Sequence, residues 1–472
     1  MSDEGEKGPR GAPRLLGPDG KEIRKDQPLL VDAFGRSVHG APEDQPPERP
    51  RLRALELIAA QDRDREVLIA RDPMGVTENP VVLRLEMLPL LQMLDGQTTT
   101  EELAQRAVSE TGDMRHADSI RRFVEDLDRL YLLESPRFER RRGELAAAYR
   151  AETVREPALA GVSYPEDPEE LRRFLGGHLA EARAILSAEG APKAPSEVRA
   201  LSVPHLDLQR AGVAIGVGFA ALPESPPPDL VILFGTGHML YEQVVALTDK
   251  TMRTPLGELE CDREAVARVA ERVGPAAYEE ETAFRHEHSI EFPVLYLQYR
   301  YGSHPKLLPV LCGGFHRLLA EGRRPTEDPA LAAALLAVRE EAERATAAGK
   351  RVLFLAAVDL SHVGARFGDR EPLDQEMLDA IRQIDEAALS AAVPGNADGW
   401  FDMIASHGDS TRVCGFSAQY ALLAAARPGP GVLLRYEQSL EEGGSVVTCA
   451  TMAWPGASAA AAAAAAATAA NS

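Results

Sequence analysis

The sequence has 472 residues, of which 44% are hydrophobic, and carries a formal net charge of -21 at pH 7. At about 150 residues per domain, this length predicts roughly three domains with at least one large core. The 73 acidic side chains outnumber the 52 basic ones. This balance excludes the basic surface that a phosphate backbone needs, so we predict no nucleic-acid partner.

The chain contains no apolar run of about 18 residues, and its first residues lack the apolar core of a signal peptide. We therefore expect no membrane segment and a cytoplasmic location. The four cysteines are far apart and form no Cys-x-x-Cys pair, which argues against a disulfide framework and against a structural zinc knuckle. They are Cys261, Cys312, Cys414 and Cys449.

Composition and periodicity divide the chain into five segments. They are a flexible leader rich in Pro and Gly (1–50), a small winged-helix-like module (51–136), a helical linker (137–157), a large α/β domain (158–456) and an Ala-rich tail without a readable function (457–472).

The small module begins with the strand-like stretch REVLIA. Thr98 to Thr100 are N-cap candidates for the following helix, and the residues from Ile120 to Leu130 repeat their apolar members at helical spacing. Its segments QMLDGQTTTEELAQ and VEDLDRLYLLE resemble PqqD-type domains. That resemblance implies a short peptide held along an edge strand, and a purely packing role is the alternative.

From about Leu159 onward, helical stretches alternate with apolar runs. The runs are RALSVPH, DLVILFGTGH, KLLPVLCGG, RVLFLAAVDLSH, VLLRYEQSL and SVVTCATMAW. Strands that are apolar on both faces are typical of a sheet covered by helices on both sides. The sequence therefore predicts an α/β fold with a mostly parallel sheet flanked by helices.

Polar side chains follow three of these runs. His205 ends SVPH, His238 ends ILFGTGH, and Asp359 with His362 ends LAAVDLSH. In open α/β sheets the ligand lies outside the carboxyl ends of the strands, so side chains at these positions can meet in one pocket. Gly237, just before His238, lets the backbone approach a ligand closely.

Cys414 adds a sulfur donor, and its position before a predicted helix favours the thiolate. Two imidazoles and a thiolate suit Zn, Fe or Cu rather than Mg or Ca. Each residue taken singly also has a structural explanation, because His and Asp commonly make hydrogen bonds in loops and Cys is commonly buried. Their recurrence at several strand ends favours a shared site.

The α/β region resembles the Memo family, the AmmeMemoRadiSam system protein B group. The matching segments occur in the family's order from about Gly161 to Pro455 and include SVPH, DLVILFGTGH, HEHSIEFPVLYLQ, AAVDLSHVG and TRVCG. The resemblance implies the fold of class III extradiol ring-cleaving dioxygenases. The resemblance also implies that the partners are radical-SAM and AMMECR1-like proteins of the same system.

The resemblance also implies site residues. His205, His238 and Cys414 match the family's vestibule ligands, with Asp359 and His362 lining the same site. Fe(II) or Cu is the implied metal, with Zn less favoured. In the ring-cleaving relatives a carboxylate is the third ligand and a residue resembling His362 is the acid/base. Because Cys414 departs from that pattern, the ring-cleaving reaction is not carried over with the fold.

Other positions depart from the family or add histidines. Leu206, Asp207 and Leu208 replace a small residue and an aromatic residue at the mouth of the site, and Phe284 stands where the family often has His. Asp207 is either a partner of an imidazole or a solvated loop residue.

The HEHSIE segment would place His286 and His288 on one face if it were a strand. Family resemblance instead implies that Glu287 and His288 line the pocket, and His286 is expected to be exposed. Nothing supports His316 as a ligand, and the reach of His407 into the pocket is open. Cys261, Cys312 and Cys449 are expected to be small buried hydrophobes.

Three functions remain open from the sequence. The first is an iron- or copper-dependent redox enzyme in which Asp359 orients His362 and His362 moves a proton. The second is a binding protein that uses the pocket for a peptide or partner, with the N-terminal module delivering a peptide to a radical-SAM system. The third is a hydrolase with a zinc-activated water.

Overall fold

The computed structural model describes residues 45–456 except residues 63, 64, 78, 225 and 442. The chain forms two compact units, Met1–Ala147 and Ala148–Ser472. The boundary lies within the predicted helical linker. Most of the predicted leader and the whole predicted Ala-rich tail lie outside the described residues.

The first unit combines a small antiparallel sheet with helices. Its strands, in the spatial order β1-β2-β3, are β1 (Glu56–Asp62), β2 (Arg65–Arg71) and β3 (Val81–Arg84). Its helices are α1 (Leu88–Gln92), α2 (Thr100–Thr111), α3 (Arg115–Arg129) and α4 (Pro136–Ala151), the last of which continues into the second unit.

Local sequence signals place the helices of this unit. Thr99 caps α2, accepting a hydrogen bond from the Glu102 backbone N–H while the Glu102 carboxylate accepts one from the Thr99 N–H. Phe123 and Leu127 of α3 are buried in the core of the unit. The predicted N-cap and helical period are therefore confirmed.

The predicted leader is wrong at its C-terminal end. Pro50 is buried, and its carbonyl accepts a hydrogen bond from the Gly96 N–H at 3.1 Å. The Glu48 carbonyl accepts from the Thr100 N–H at 3.0 Å. These backbone bonds hold residues 48–50 in the first unit, and composition alone does not reveal such pairing with a distant loop.

The second unit contains eleven of the described strands. They are β4 (Val154–Arg155), β5 (Ala200–Val203), β6 (Leu230–Thr236), β7 (Val245–Leu247), β8 (Thr251–Thr254), β9 (Gly257–Leu259), β10 (Lys306–Cys312), β11 (Val352–Ala357), β12 (Asp359–Gly364), β13 (Val432–Glu441) and β14 (Ser445–Trp454). Its further helices are α5 (Pro168–Ser187), α6 (Leu208–Ala221), α7 (Arg263–Val273), α8 (Ala276–Glu279), α9 (His288–Tyr301), α10 (Phe315–Ala320), α11 (Pro329–Ala347), α12 (Gln375–Ala392), α13 (Ala397–Ser406) and α14 (Phe416–Ala426).

Eight of these strands form one mixed sheet. The spatial order is β12-β14-β5-β11-β6-β10-β7, and β13 lies off this path and also pairs with β14. The central strands β5, β11, β6 and β10 are parallel, whereas the flanking strands β14 and β7 are antiparallel to their neighbours. A separate three-stranded sheet has the order β4-β8-β9. The predicted α/β fold with a helix-flanked sheet is confirmed.

Helices cover both faces of the large sheet. The Ser202 hydroxyl of β5 donates to the side-chain oxygen of Gln419 on α14 at 2.7 Å. The next residue, Val203, lies against Gly218 of α6 on the opposite face. All residues of β5, β6 and β14 are buried, as expected for strands between two helical layers.

The prediction that Asp359 and His362 follow a parallel strand is wrong in detail. The parallel strand β11 ends at Ala357, and both residues belong to β12, which pairs antiparallel with β14. Asp359 pairs with Cys449 and His362 with Val447, with an irregular register between the pairs. A continuous apolar run cannot reveal where one strand stops and another begins.

None of the helices that the structure describes combines the length and the apolarity needed to cross a bilayer.

Gly235 in β6 allows the sheet to pack closely against α9. A Cβ atom at Gly235 would lie 2.7 Å from the side chains of both Ile290 and Ser289. We expect Gly235→Ala to lower the free energy of unfolding by about 1–3 kcal/mol, because the added methyl group overpacks the core. Urea unfolding followed by tryptophan fluorescence measures this, since both tryptophans, Trp400 and Trp454, are buried in the second unit.

Gly177→Ala is the matched control. A Cβ atom at Gly177 within α5 would meet nothing within 4 Å. This substitution should leave stability unchanged or raise it by about 0.5–1 kcal/mol, because Gly is a poor helix former. Equal losses for both variants would contradict the steric argument at Gly235.

Candidate metal centre

His205 is fixed by one hydrogen bond from its backbone N–H and one from its ring. It follows β5 after Pro204 and is 1% exposed. Its backbone N–H donates to Oδ1 of Asp359 at 3.0 Å, and its Nδ1 lies 2.9 Å from the carbonyl oxygen of Ala357. Because a carbonyl only accepts, Nδ1 carries the proton and Nε2 keeps a lone pair directed into the site.

His238 is held in the same way by a carboxylate. Its Nδ1 lies 3.0 and 3.1 Å from Oε1 and Oε2 of Glu287, and Oε2 also accepts the His238 backbone N–H. Glu287 is the N-cap of α9, accepts from the Ser289 N–H and is 1% exposed. Nδ1 therefore donates, and Nε2 of His238 is left as the atom available to a ligand.

His288 is the first residue of α9, next to Glu287. Its ring stacks on that of His238 with centroids 4.7 Å apart, and its centroid lies 5.2 Å from that of His205. The Glu287 N-cap therefore sets the position of two imidazoles together. The strand-like spacing considered for His286 and His288 is wrong, because a 3-10 helix ends at His286 and α9 begins at His288.

Cys414 and Asp359 approach the same nitrogen of His205. The Cys414 Sγ lies 3.2 Å from Nε2 of His205, and Oδ2 of Asp359 lies 3.6 Å from it. Cys414 precedes the N-cap residue of α14, Gly415. A Cβ atom at Gly415 would be 2.3 Å from Val358, so a glycine here lets the Cys414 loop reach the β11–β12 junction.

Two groups of metal-ligating side chains result. His205, His238 and His288 place one donor atom each within 4.8 Å of one another, and so do His205, Asp359 and Cys414. His205 belongs to both groups. Among the described residues, the predicted trio of His205, His238 and Cys414 is thus divided between two groups that share His205, and His288 is an additional candidate ligand.

His362 lies outside both groups. Its Nδ1 lies 3.0 Å from the carbonyl oxygen of Leu360, so this carbonyl orients the ring. Asp359 was expected to orient His362. Among the described residues the two side chains share no hydrogen bond, and Asp359 accepts from the His205 backbone. Burial lowers the pKa of His362, and the Asp359 charge partly opposes this.

Burial keeps two of the imidazoles neutral. It lowers the pKa of His205 to about 3, with a further contribution from the His238 charge. It also lowers the pKa of His288 to about 4. For His238, burial acts in the same direction, but the Glu287 carboxylate outweighs it and the pKa is raised. Neutral imidazole is the form that binds a metal ion.

The acidic groups of the site respond to burial and to the imidazoles. Burial would raise the pKa of Glu287, but His238 and the surrounding hydrogen bonds lower it well below the usual range. Burial raises the pKa of Asp359. It also raises that of Cys414, with the Asp359 charge adding to the effect. Burial therefore opposes the thiolate form that the position of Cys414 before α14 was expected to favour.

Two residues expected at the mouth of the site, Asp207 and Leu208, and the pocket-lining Gly237 have structural roles. Asp207 caps α6 by accepting the Gln209 N–H at 2.9 Å and forms an ion pair with Arg210. Among the described residues, Asp207 contacts no imidazole. Leu208 is buried in the main core, and Gly237 makes room for the side chain of Leu240.

The remaining predicted positions are either buried in the core or exposed at the surface. Leu206 lies in a small apolar cluster and Phe284 is fully buried. His286 is exposed, as expected. His316 is exposed and lies 2.9 Å from Asp409, and His407 contacts Ser410 at 3.3 Å. The expectation for the other cysteines is confirmed: the buried ones are Cys261, Cys312 and Cys449.

Asp385 is a buried polar residue that the sequence reasoning missed. It accepts hydrogen bonds from Ser361 at 2.7 Å, Thr448 at 2.6 Å and Tyr436 at 2.8 Å. These donors belong to β12, β14 and β13, so the carboxylate fixes the strands beside the site. A signal was available, because Asp385 lies four residues after Ile381 on the buried face of an amphipathic helix.

The fold and site define an α/β protein with a cluster of imidazoles, a carboxylate and a thiol at the ends of its strands, in which His205 and Asp359 are buried and His238 is exposed. The family model described as Memo-like protein matches residues 155–453. This chain therefore belongs to the Memo family.

Individual relatives agree with this assignment. A MEMO1 family protein of Aquifex aeolicus is 26% identical over 380 residues, covering 79% of this chain and 90% of the relative. A MEMO1 family protein of Thermus thermophilus is 29% identical and covers 74% of this chain and 96% of the relative. One from Methanococcoides burtonii is 31% identical, with 49% and 76% covered.

The first of these alignments covers more residues than the whole second unit contains. The similarity to the A. aeolicus protein therefore extends into the first unit.

Replacing Glu287 tests its control of His238. We expect Glu287→Gln to lower the pKa of His238 by about 1 or more, because a neutral amide stabilises the imidazolium less than a carboxylate does. NMR titration of the ring nitrogens in chelator-treated protein measures this pKa. Glu279→Gln removes an exposed charge nearby whose side chain contacts Gln243, and should leave His238 unchanged. An unchanged pKa in Glu287→Gln would contradict the assignment.

Proposed function

We propose that this Memo-family protein binds a transition-metal ion, Fe(II) or Cu, through His205 and His238 with a third donor from Cys414, His288 or Asp359. The supporting observation is the orientation of the two imidazoles. Each donates its Nδ1 proton to a fixed acceptor, the Ala357 carbonyl or the Glu287 carboxylate, which leaves both Nε2 atoms as donors. Metal-binding histidines typically have such a partner on the second nitrogen.

The distances from Nε2 of His205 to Cys414 and to Asp359 are those expected of ligands that share one ion. Metal–nitrogen bonds of about 2.0 Å and metal–sulfur bonds of about 2.3 Å put two ligand atoms of one ion roughly 3 to 3.6 Å apart. The Cys414 Sγ and the Asp359 Oδ2 lie 3.2 and 3.6 Å from Nε2 of His205. Imidazole and sulfur donors favour Fe, Cu or Zn over Mg or Ca.

A bound Fe(II) or Cu ion would supply one-electron redox chemistry at this position. Burial keeps His205 and His288 neutral, and the ion would also lower the pKa of the Cys414 thiol. His362, with its Nδ1 proton held by the Leu360 carbonyl, presents Nε2 as a proton acceptor beside the site. This arrangement supports proton transfer on a small bound substrate by His362, in a protein related in fold to class III extradiol dioxygenases.

A second candidate function is peptide or partner binding, with radical-SAM and AMMECR1-like proteins as the partner class. The first unit supports it, because β1 pairs only with β2 among the described strands. Leu57 and Ile58 of this edge strand are exposed, as a strand that accepts a PqqD-type peptide requires.

Metal content tests the first candidate. We expect anaerobically purified protein to contain Fe or Cu, and His205→Ala to lower the metal content at least about tenfold, because it removes a donor shared by both groups. Elemental analysis measures it. His316→Ala is the control, since this exposed histidine contacts Asp409. Equal metal content in all three proteins would contradict the proposal.

The third donor has its own test. If Cys414 binds the metal, the Cu(II)-loaded protein should have a thiolate-to-metal charge-transfer band that Cys414→Ser removes and His288→Ala retains. Absorption spectroscopy after anaerobic loading measures it. Metal binding without this band, combined with loss of the metal in His288→Ala, would instead assign the third position to His288.

The two candidate functions predict different behaviour of a variant that combines His205→Ala, His238→Ala and Cys414→Ala. A metal-dependent function is abolished in this variant. If the pocket serves only for recognition, the variant should still bind a purified radical-SAM partner with the affinity of the unaltered protein. Isothermal titration with both proteins distinguishes these outcomes.

A further inference from the structure

Three arginines gather at the end of the large sheet opposite the candidate metal centre. Arg199 immediately precedes β5, whereas His205 follows the other end of that strand. Arg339 lies on α11, and Arg427 ends α14. All three line a cavity of about 380 Å³, and Arg339 and Arg427 also line an adjoining cavity of about 370 Å³.

The charges of these arginines are only partly compensated, because Glu197 attracts Arg199 and Glu343 attracts Arg339. Among the described residues, no carboxylate forms an ion pair with any of the three, although the chain has a net charge of -21. Glu197 and Glu343 also line the larger cavity, but both are exposed. The charge of Arg427 lies close enough to Arg339 to lower its pKa, in addition to the effect of burial.

The hydrogen bonds of the guanidinium groups are also incomplete. Arg339 donates from Nη2 to the Ala424 carbonyl at 2.7 Å, but its buried Nε–H has no acceptor. Arg199 donates from Nη2 to the Thr346 hydroxyl at 2.6 Å. A buried donor without a partner costs free energy that a bound acceptor recovers. The cavity is therefore suited to an anion.

The adjoining cavity has an apolar wall. Leu335, Leu336 and Leu423 line it together with Pro428, and Leu336 is 44% exposed. Each cavity is within the size range of small-molecule sites. An inorganic anion would fill only a small part of this space, so the anion should carry an apolar group.

We propose that this double cavity binds a small organic phosphate, with the phosphate among Arg199, Arg339 and Arg427 and its apolar group against Leu336 and Leu423. Guanidinium groups match phosphate oxygens in pairs, and three of them suit a dianion better than a singly charged carboxylate. The site is independent of the candidate metal centre, because it lies at the other end of β5.

Phenyl phosphate is a suitable probe, compared with inorganic phosphate by isothermal titration of chelator-treated protein. We expect saturable binding of phenyl phosphate, tighter than that of inorganic phosphate. Arg427→Leu should weaken it about tenfold or more, the usual effect of losing one charge-assisted hydrogen bond. Arg427 is exposed, so the variant should keep its fold. Absent or non-saturable binding overturns the proposal, and equal affinities for the two anions overturn the apolar subsite.

Two further variants test the site itself. Arg339→Lys keeps the charge but removes the paired N–H donors of the guanidinium group, and should weaken phenyl phosphate binding by a similar factor. Arg344→Leu removes a charge from the same helix, but this arginine is paired with Glu341, so affinity should stay within about twofold of the original. An equal loss in Arg344→Leu would show a general charge effect and overturn the assignment. Retained binding in His205→Ala separates this site from the metal centre.

Discussion

The buried carboxylate of Glu287 is the interaction on which the arrangement of the candidate site depends. It is 1% exposed and accepts hydrogen bonds from the ring and backbone of His238 and from the backbone of Ser289. An isolated carboxylate at this position would be costly to bury, so the imidazole and the helix N-terminus must remain in place. One charge thereby fixes the start of α9, the turn after β6 and the ring of His238.

Two hydrogen bonds hold His205 in a similar way. The Ala357 carbonyl at the end of β11 takes the Nδ1 proton, and the first residue of β12, Asp359, takes the backbone N–H. These acceptors come from a part of the chain more than 150 residues away. The short connection between β11 and β12 is therefore both the partner of His205 and the source of a candidate metal ligand.

Much of this protein could be predicted from local patterns. The apolar runs correctly indicated the buried strands, and Thr99 and Glu102 correctly indicated the start of α2. Local patterns failed where a long-range contact decides the outcome. The apolar run that ends at Asp359 and His362 reads as one strand, but pairing with β14 divides it, and burial raises the pKa of the Cys414 thiol.

The sequence by itself determined the family, the alternation of strands and helices and the set of side chains able to bind a transition metal, because these depend on residue identity, periodicity and order. Only the tertiary structure decided which of those side chains bring their ligand atoms close together and that Asp207 caps a helix. It also decided that three arginines, spread over more than 200 residues of the chain, gather at the far end of the sheet. Distances between atoms depend on strand order and register, and no single segment of the chain contains that information.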